Sequence, residues 1–252
     1  MASAARLVDA IDVRPASTQA DVDALNARFE GVDAASMLRA LLSEETLGEV
    51  AVVSSFGAES AVLLHLVASV DPTVPVVFVD TLRMFPETLA YRETLIRRLG
   101  VTDVRVVLPD AAVLSARDAQ GLRWSYDPEG CCDIRKVEPM RRAKAGLDSW
   151  ISGRKAFQSV TRQNLPRFEL DEGRLKLNPL GDWVKTDLDA YFAEHDLPRH
   201  PLEAEGYLSI GCQPCTSKVR PGEDPRAGRW RGWDKVECGI HVPAKPGDDP
   251  AF

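Results

Sequence analysis

A surplus of basic residues and long apolar runs are both lacking in this chain, which has 31 Lys and Arg against 38 Asp and Glu. The 252 residues carry a formal net charge of -7, which argues against general binding to nucleic acid or acidic membrane surfaces, since both need a basic surface. No stretch approaches the ~20 apolar residues of a membrane span, and the region from Met1 to Val13 lacks the apolar segment of a secretory signal. We therefore expect a soluble, cytoplasmic protein that meets any anionic ligand with a local basic cluster.

Cysteine is also scarce, and its five positions are unevenly spread. Four form two pairs, Cys131-Cys132 and Cys212-x-x-Cys215, and Cys238 stands apart. In a reducing compartment this division indicates four metal ligands and one reactive thiol rather than disulfides. Zinc ligands are usually about two to four residues apart and rarely adjacent, so the Cys-Cys pair favours an iron-sulfur cluster over zinc, which stays an alternative.

The apolar pattern predicts an α/β fold. Hydrophobic residues make up 44% of the chain, enough for a sizeable core. Strands alternate with helices, so we expect a parallel sheet flanked by helices. The predicted strands are 50–53, 74–79, 104–108 and 149–152, and the predicted helices in this region are 60–70, 86–99 and 186–195.

We expect one domain with three parts. Residues 1–47 have helical spacing of apolar residues and predict two or three N-terminal helices that pack on the main body. Residues 48–210 form the nucleotide-binding core. Residues 211–252 contain the second cysteine pair and a C-terminal active-site segment, whose prolines and glycines indicate a mobile lid.

The turn after the first predicted strand is a candidate nucleotide site. Gly57 lets the backbone approach a ligand, and the hydroxyls and amides at the following helix N-terminus can bind phosphate oxygens. The turn has neither a Walker loop nor a dinucleotide fingerprint. Asp80-Thr81 follows the second strand, at the edge where open sheets bind ligands. The combination predicts an adenine nucleotide across these strand ends.

Several motifs, read together, carry a family resemblance. In order they are Ser55-Phe56-Gly57-Ala58-Glu59-Ser60, Asp80-Thr81, Cys131-Cys132, Cys212-x-x-Cys215, Arg226-Ala227-Gly228-Arg229-Trp230 and Glu237-Cys238-Gly239-Ile240-His241. From about Val50 to His241 the chain resembles the assimilatory adenylylsulfate reductases. The resemblance implies an adenine nucleotide alpha-hydrolase-like fold, a 4Fe-4S cluster on Cys131, Cys132, Cys212 and Cys215, and a separate thioredoxin-like reductant. Members of this family are commonly homo-oligomers.

The resemblance also implies a mechanism. The Cys238 thiolate attacks the sulfur of adenylylsulfate, AMP leaves, and thioredoxin releases sulfite from the S-sulfonated cysteine. An unperturbed thiol pKa near ~8.5 leaves little thiolate at neutral pH, so we expect His241 and nearby arginines to lower it. Arg226 and Arg229 are predicted to clamp the phosphosulfate. Lys136 is predicted to place positive charge between cluster and sulfate.

The predicted substrate-binding set is drawn from three regions, and two departures from the family pattern affect it. Leu82 stands where the family often has glycine, and the segment 151–158 differs from the usual Gly-x-Arg-Arg, which leaves open whether Arg154 or Lys155 meets the phosphate. The full set is Ser55, Phe56, Gly57, Glu59, Ser60, Asp80, Thr81, Leu82, Arg154 and Lys155.

Three alternative functions stay open. The first is a phosphoadenylylsulfate reductase with the same mechanism. The second is an ATP-dependent sulfurtransferase of the same fold, in which Cys238 would carry sulfur. The third is a non-enzymatic zinc or iron-sulfur module that binds a partner through its basic tail.

Overall fold

A six-stranded sheet organises the protein. The computed structural model describes residues 16–44, 46–158 and 162–241, and within them the strand order is β3-β2-β1-β4-β6-β5. Every neighbouring pair is parallel except β5 with β6. The strands are β1 Val50–Val53, β2 Val76–Val79, β3 Val104–Val107, β4 Ser149–Ser152, β5 Phe168–Asp171 and β6 Arg174–Leu177.

Helices cover both faces of the sheet, and strands β2 and β4, which lie on either side of β1, are buried along their whole length. Pro86 occupies the first turn of α4 and Gly100, with φ 67°, ends it, as is typical of these two residues. The helices are α1 Gln19–Arg28, α2 Ala34–Ser43, α3 Ser60–Val70, α4 Pro86–Leu99, α5 Ala111–Arg117, α6 Pro128–Cys132, α7 Glu138–Lys144 and α8 Lys185–Glu194. A π-helical turn, Asp133–Val137, joins α6 to α7.

The predicted parallel α/β sheet is confirmed. The predicted bounds of β1, β4, α3 and α4 coincide with the observed ones, whereas β2 begins two residues later than predicted and α8 begins one residue earlier. The hairpin of β5 and β6 was not predicted. Its two turn residues, Glu172 and Gly173, both have positive φ, which matches the tight turn favoured between antiparallel strands.

The N-terminal helices share the main core. Phe29 from the end of α1 and Met37 from α2 are buried in the same apolar cluster as residues of the sheet. Asn26 on α1 donates to the Phe168 carbonyl (2.9 Å) and accepts from the Phe168 amide (3.1 Å), which satisfies part of the free edge of β5. Residues 1–15 of the predicted helical region lie outside the described residues. None of the described helices is both long and apolar enough to cross a membrane.

Candidate active site

A cavity of about 520 Å³ lies at the carboxyl edge of β1 and β4. Its walls come from the turn after β1, the segment after β4, and the C-terminal segment that ends at His241. A cavity of this volume accommodates a nucleotide-sized ligand. Parallel strands bring these segments together because their carboxyl ends share one edge of the sheet.

The turn after β1 presents polar groups to this cavity. Ser55, Gly57, Glu59 and Ser60 line it, as predicted for a substrate-binding turn. Helix α3 begins here without a side-chain cap. Its first amide, that of Ser60, donates to the Gly57 carbonyl (3.1 Å), and the positive end of the helix dipole at this N-terminus favours an anion. Phe56 is different: it is buried, has φ 50°, and packs edge-on against Phe78 at 5.4 Å. It anchors the turn instead of lining the cavity.

Val79 at the end of β2 lines the cavity, but Asp80, Thr81 and Leu82, which follow it and were predicted to bind substrate, are not among the lining residues. The Asp80 carboxylate accepts from the Leu82 amide (2.9 Å), and the Leu82 side chain is about half exposed. Leu82 has φ 58°, in the left-handed region that favours glycine. The buried Thr81 hydroxyl lies 3.2 Å from Cys212 Sγ, so this strand end contacts the cysteine cluster.

Arg154 and Lys155 both line the cavity after β4. Lys155 Nζ lies 3.0 Å from a Glu59 carboxylate oxygen, and Arg154 Nη1 lies 2.8 Å from Glu169. Burial lowers the pKa of both groups. The Nε of Arg154 is buried and has no hydrogen-bond partner among the described residues.

The four paired cysteines line a second, smaller cavity beside the first. Cys131 and Cys132 come from α6, Cys212 and Cys215 come from the later loop, and all four are free thiols. Lys136, Arg229 and Trp230 line both cavities. Lys136 lies on the π-helical turn Asp133–Val137, and such turns are frequent at functional sites.

The chemistry of this donor set fits a metal cluster. One zinc ion needs all its sulfur ligands about 2.3 Å from a single point, and no group of three or more His, Cys, Asp or Glu side chains among the described residues could hold one metal ion. An iron-sulfur cluster binds each thiolate to a different iron atom and therefore spreads the sulfurs more widely. The four cysteines around one small cavity suit that arrangement.

Cys238 lines the large cavity, and the residues around it hold the C-terminal segment against the body. Lys235 forms an ion pair with Glu129 on α6. Glu237 is bound by Arg162 and Arg226. Gly239 has φ 90°, a conformation that L side chains rarely adopt. Cys238 is thus presented to the cavity by a docked segment.

His241 stacks on Trp150, with ring centroids 5.6 Å apart and planes 9° apart. Burial, together with nearby cations of which Lys176 is the strongest, lowers the pKa of His241 well below its ordinary value. His241 is therefore neutral at neutral pH. The prediction that it supplies positive charge to the Cys238 thiol is wrong, because a neutral imidazole supplies none.

The two predicted clamp arginines differ in their partners. Arg226 Nη2 donates to the Val236 carbonyl (2.7 Å) and lies 3.1 Å from Glu237, so it binds the segment that carries Cys238. Arg229 lies over the Trp230 ring at 4.3 Å, and its Nε has no partner among the described residues. Of the cations that line the cavity, Lys136 and Arg229 are those without a carboxylate partner in the described part of the chain.

Arg162 is a cavity residue that the sequence analysis did not identify. It lines the cavity and binds the carboxylate beside Cys238 from 75 positions away in the chain. Nothing in its local sequence distinguishes it from a surface arginine.

Comparison with known proteins decides the family. Residues 49–218 match the family described as phosphoadenosine phosphosulfate reductase domain, which is more than half of the chain. The chain belongs to this family. The predicted resemblance is therefore confirmed. The matched region ends at Lys218, so the segment that carries Cys238 lies beyond it.

Individual members of the phosphoadenosine phosphosulfate reductase family support the assignment. The adenosine 5'-phosphosulfate reductase of Mesorhizobium japonicum is 50% identical, over 77% of this chain and 76% of that protein. The phosphoadenosine 5'-phosphosulfate reductase of Gloeobacter violaceus is 42% identical, over 75% and 80%. The crystal structure of a phosphoadenylyl-sulfate reductase from Candida auris is 26% identical with a TM-score of 0.70, over 82% of this chain and all of that one.

Proposed function

We propose that this protein is an adenylylsulfate reductase, which converts adenylylsulfate to sulfite and AMP with electrons from a thioredoxin-like dithiol protein. The observation that carries the proposal is that one cavity brings together Cys238, the nucleotide turn after β1 and two cations without carboxylate partners, Lys136 and Arg229. This is the arrangement needed by a thiol that attacks an anionic nucleotide derivative.

In the first half of the reaction, Cys238 Sγ attacks the sulfur of adenylylsulfate. The bond between that sulfur and the bridging oxygen breaks, and AMP leaves with the electron pair. Arg229 and Lys136 stabilise the charge that develops on the leaving phosphate and the transferred sulfonate. The N-terminus of α3 and Arg154 both line the cavity and are proposed to meet the nucleotide phosphate. Arg226 acts on the Cys238 segment, and neutral His241 docks that segment through Trp150.

In the second half, a thiolate of the dithiol protein attacks Cys238 Sγ. Sulfite leaves, a mixed disulfide forms, and the second thiol of the partner restores the Cys238 thiol while the partner becomes a disulfide. The partner thus supplies two electrons. Cys238 has to leave the cavity for this step, which requires the docked segment to open as a lid. Homo-oligomeric assembly and a cytoplasmic location stay predictions.

We further propose that Cys131, Cys132, Cys212 and Cys215 hold a 4Fe-4S cluster. When bound, the cluster would act electrostatically, by adding a charged group next to the part of the substrate cavity that Lys136 and Arg229 line. Lys136 faces Cys212 and lines the substrate cavity, so it connects the two sites electrostatically. Colour tests this directly: brown protein with absorbance near ~400 nm contains iron and sulfide, whereas Zn(II) is d10 and colourless.

The whole chain is proposed to act as one domain, with the N-terminal helices, the nucleotide-binding core and the C-terminal catalytic segment divided near residues 47 and 210. The shared apolar core of the first two parts supports this.

The first experiment measures sulfite release from anaerobically purified protein with thioredoxin, with adenylylsulfate and its 3'-phosphorylated analogue offered in parallel. Preference for adenylylsulfate supports the proposal. Preference for the phosphorylated analogue keeps the mechanism and changes the substrate. Absence of sulfite from both substrates, in protein that contains iron, would reject reductase function in favour of a sulfurtransferase or a regulatory module.

A further inference from the structure

Glu237 stands directly before Cys238 and is bound by two arginines from different parts of the chain. Arg162 forms a bidentate pair, with Nε 2.9 Å from one carboxylate oxygen and Nη2 2.9 Å from the other. Arg226 Nη2 adds a third contact at 3.1 Å. The Glu237 carboxylate therefore joins the Cys238 segment to two others: the segment after β4, which carries Arg162, and the loop before Cys238, which carries Arg226.

These contacts are shielded from solvent. The side chains of Arg162, Glu237 and Arg226 are 8%, 17% and 17% exposed. Exposed ion pairs contribute little because water competes for both partners, whereas bidentate, charge-assisted contacts away from water are the strong ones. Removal of the Glu237 charge would leave both arginines without a carboxylate partner among the described residues.

Arg162 is itself held in place by the nucleotide turn. Its Nη1 donates to Gln158 Oε1 (2.8 Å), and Gln158 Nε2 donates to a Glu59 carboxylate oxygen (2.8 Å). Glu59 begins the helix at the turn that lines the cavity. The position of Glu237 is therefore set by the same hydrogen-bonded chain that orders the nucleotide turn.

The other anchors of the segment lie farther from Cys238 in sequence. The Lys235 contact with Glu129 is three residues before it, and the stack of His241 on Trp150 is three residues after it. The Glu237 contact is the adjacent one, so it has the most direct control over where the Cys238 sulfur lies.

We infer that Glu237 is a positioning residue, whose carboxylate, shared by Arg162 and Arg226, holds Cys238 in the cavity for attack and releases it for the reductant when the contact separates. This role rests on the proposed function for its catalytic consequence. It leaves Arg229 and Lys136 for the substrate, since neither has a carboxylate partner among the described residues.

The decisive variant is Glu237→Gln, which keeps the shape of the side chain and removes its charge. Alkylation of Cys238 by a bulky maleimide is followed by mass spectrometry of the Cys238 peptide. The alkylation rates of variant and wild type are compared at a pH high enough that they no longer rise with pH. The Cys238 thiol is then fully ionised in both proteins, so a difference in rate reports access to the sulfur. We expect the alkylation rate of Cys238 in Glu237→Gln to be at least about tenfold higher than in the wild type, because hydrogen bonds to charged groups are individually strong. Glu223→Gln, which removes the exposed partner of Arg231 in the same segment, is the matched control and should alkylate like the wild type.

A second variant tests whether Arg162 and Glu237 act through the same contact. Arg162→Gln should accelerate alkylation as Glu237→Gln does, and the double variant should be no faster than the faster single one, because both changes remove one shared contact. In turnover, Glu237→Gln should lower kcat by about tenfold and leave the KM for adenylylsulfate within about twofold, because it displaces the nucleophile and spares the substrate cations.

An unchanged alkylation rate in Glu237→Gln overturns the inference, as do fully additive rates in the double variant. The alkylation result is independent of any substrate. Accelerated alkylation in a protein that releases no sulfite would therefore reject the proposed function and retain the positioning role, whereas sulfite release with unchanged alkylation would do the reverse.

Discussion

The guanidinium of Arg229 passes so close to Gly211 that a Cβ atom on Gly211 would overlap it. The loop that carries Cys212 therefore leaves space for the arginine that reaches both cavities. Only a residue without a side chain permits this path.

Gly211→Ala should displace Arg229 and lower sulfite formation, by about 10²-fold in kcat/KM if Arg229 stabilises developing charge. The fold should persist, because the Cβ meets the far end of a flexible side chain. Gly146→Ala, where nothing lies within 4 Å of the added Cβ, is the control. Steady-state kinetics and thermal melting of both variants check this, and wild-type activity in Gly211→Ala would contradict it.

Arg229→Lys should lower kcat/KM by about 10²-fold, because an ammonium cannot reproduce the planar, bidentate binding of a guanidinium. Arg231→Lys, an exposed arginine of the same segment paired with Glu223, should change it less than about twofold. The comparison uses sulfite release under identical conditions. Equal losses in the two variants would show that position 229 has no special role.

Cys238→Ser should abolish sulfite formation and leave iron content and visible absorbance unchanged, because the serine hydroxyl is a far weaker nucleophile and Cys238 is outside the set that lines the smaller cavity. Iron analysis and the sulfite assay on one preparation give both results. Turnover by this variant would reject the nucleophile assignment.

Cys131→Ser should lower iron content and activity together, since a cluster that loses one of four thiolates is poorly held. Cys238→Ser, which retains all four thiolates of the cluster cavity, is the matched control for iron content. The measurement is iron per chain in protein purified without oxygen. A Cys131→Ser protein with wild-type iron would refute the ligand set.

Folding stability should fall as the pH drops below about 6.5, in part because of His200. This ring lies between the Thr88 hydroxyl (3.0 Å) and the Leu202 amide (3.2 Å), and burial lowers its pKa to about 4. Between the pKa of His200 in the folded protein and its pKa near ~6.5 in the unfolded chain, only the unfolded chain binds the proton. The free energy of unfolding therefore falls, by about 2 kcal/mol at about pH 5.

Urea unfolding at about pH 7 and pH 5 tests this in the wild type and in His200→Gln. Between the two pH values, the free energy of unfolding of His200→Gln should fall by about 2 kcal/mol less than that of the wild type, because glutamine does not titrate. An identical pH dependence in the two proteins would exclude His200 as a source.

Regular apolar patterns made the central part of the fold predictable. The runs that form β1 and β4 are short and bounded by turn residues, and Pro86 and Gly100 mark the ends of α4. The hairpin of β5 and β6 was missed because charged residues interrupt its pattern. Glu169 and Lys176 face each other across it, 3.1 Å apart, with Lys176 almost fully buried. That burial results from pairing with β4 and is invisible locally.

The grouping of the cysteines could also be predicted from local spacing in the sequence. The spacing separates two cysteine pairs from one lone cysteine, and the structure places the four paired cysteines around the smaller cavity and Cys238 at the larger one. The side chains around them were not readable. Thr81, predicted for the nucleotide, lies at Cys212 because β2 ends beside the cysteine cluster. His241, predicted as a cation, is neutral because burial and surrounding cations penalise its protonated form.

By itself, the sequence determined the strands β1 and β4, the helices α3 and α4, the family and the grouping of the cysteines, because each of these depends on residues near one another in the chain. Only the tertiary structure decided which charges meet. Glu237 and Arg162 are 75 positions apart, and their contact depends on how the segment after β4 and the C-terminal segment pack around one cavity. Electrostatic interactions act through space, so the roles of Arg162, Arg226 and His241 followed from the packing of distant segments.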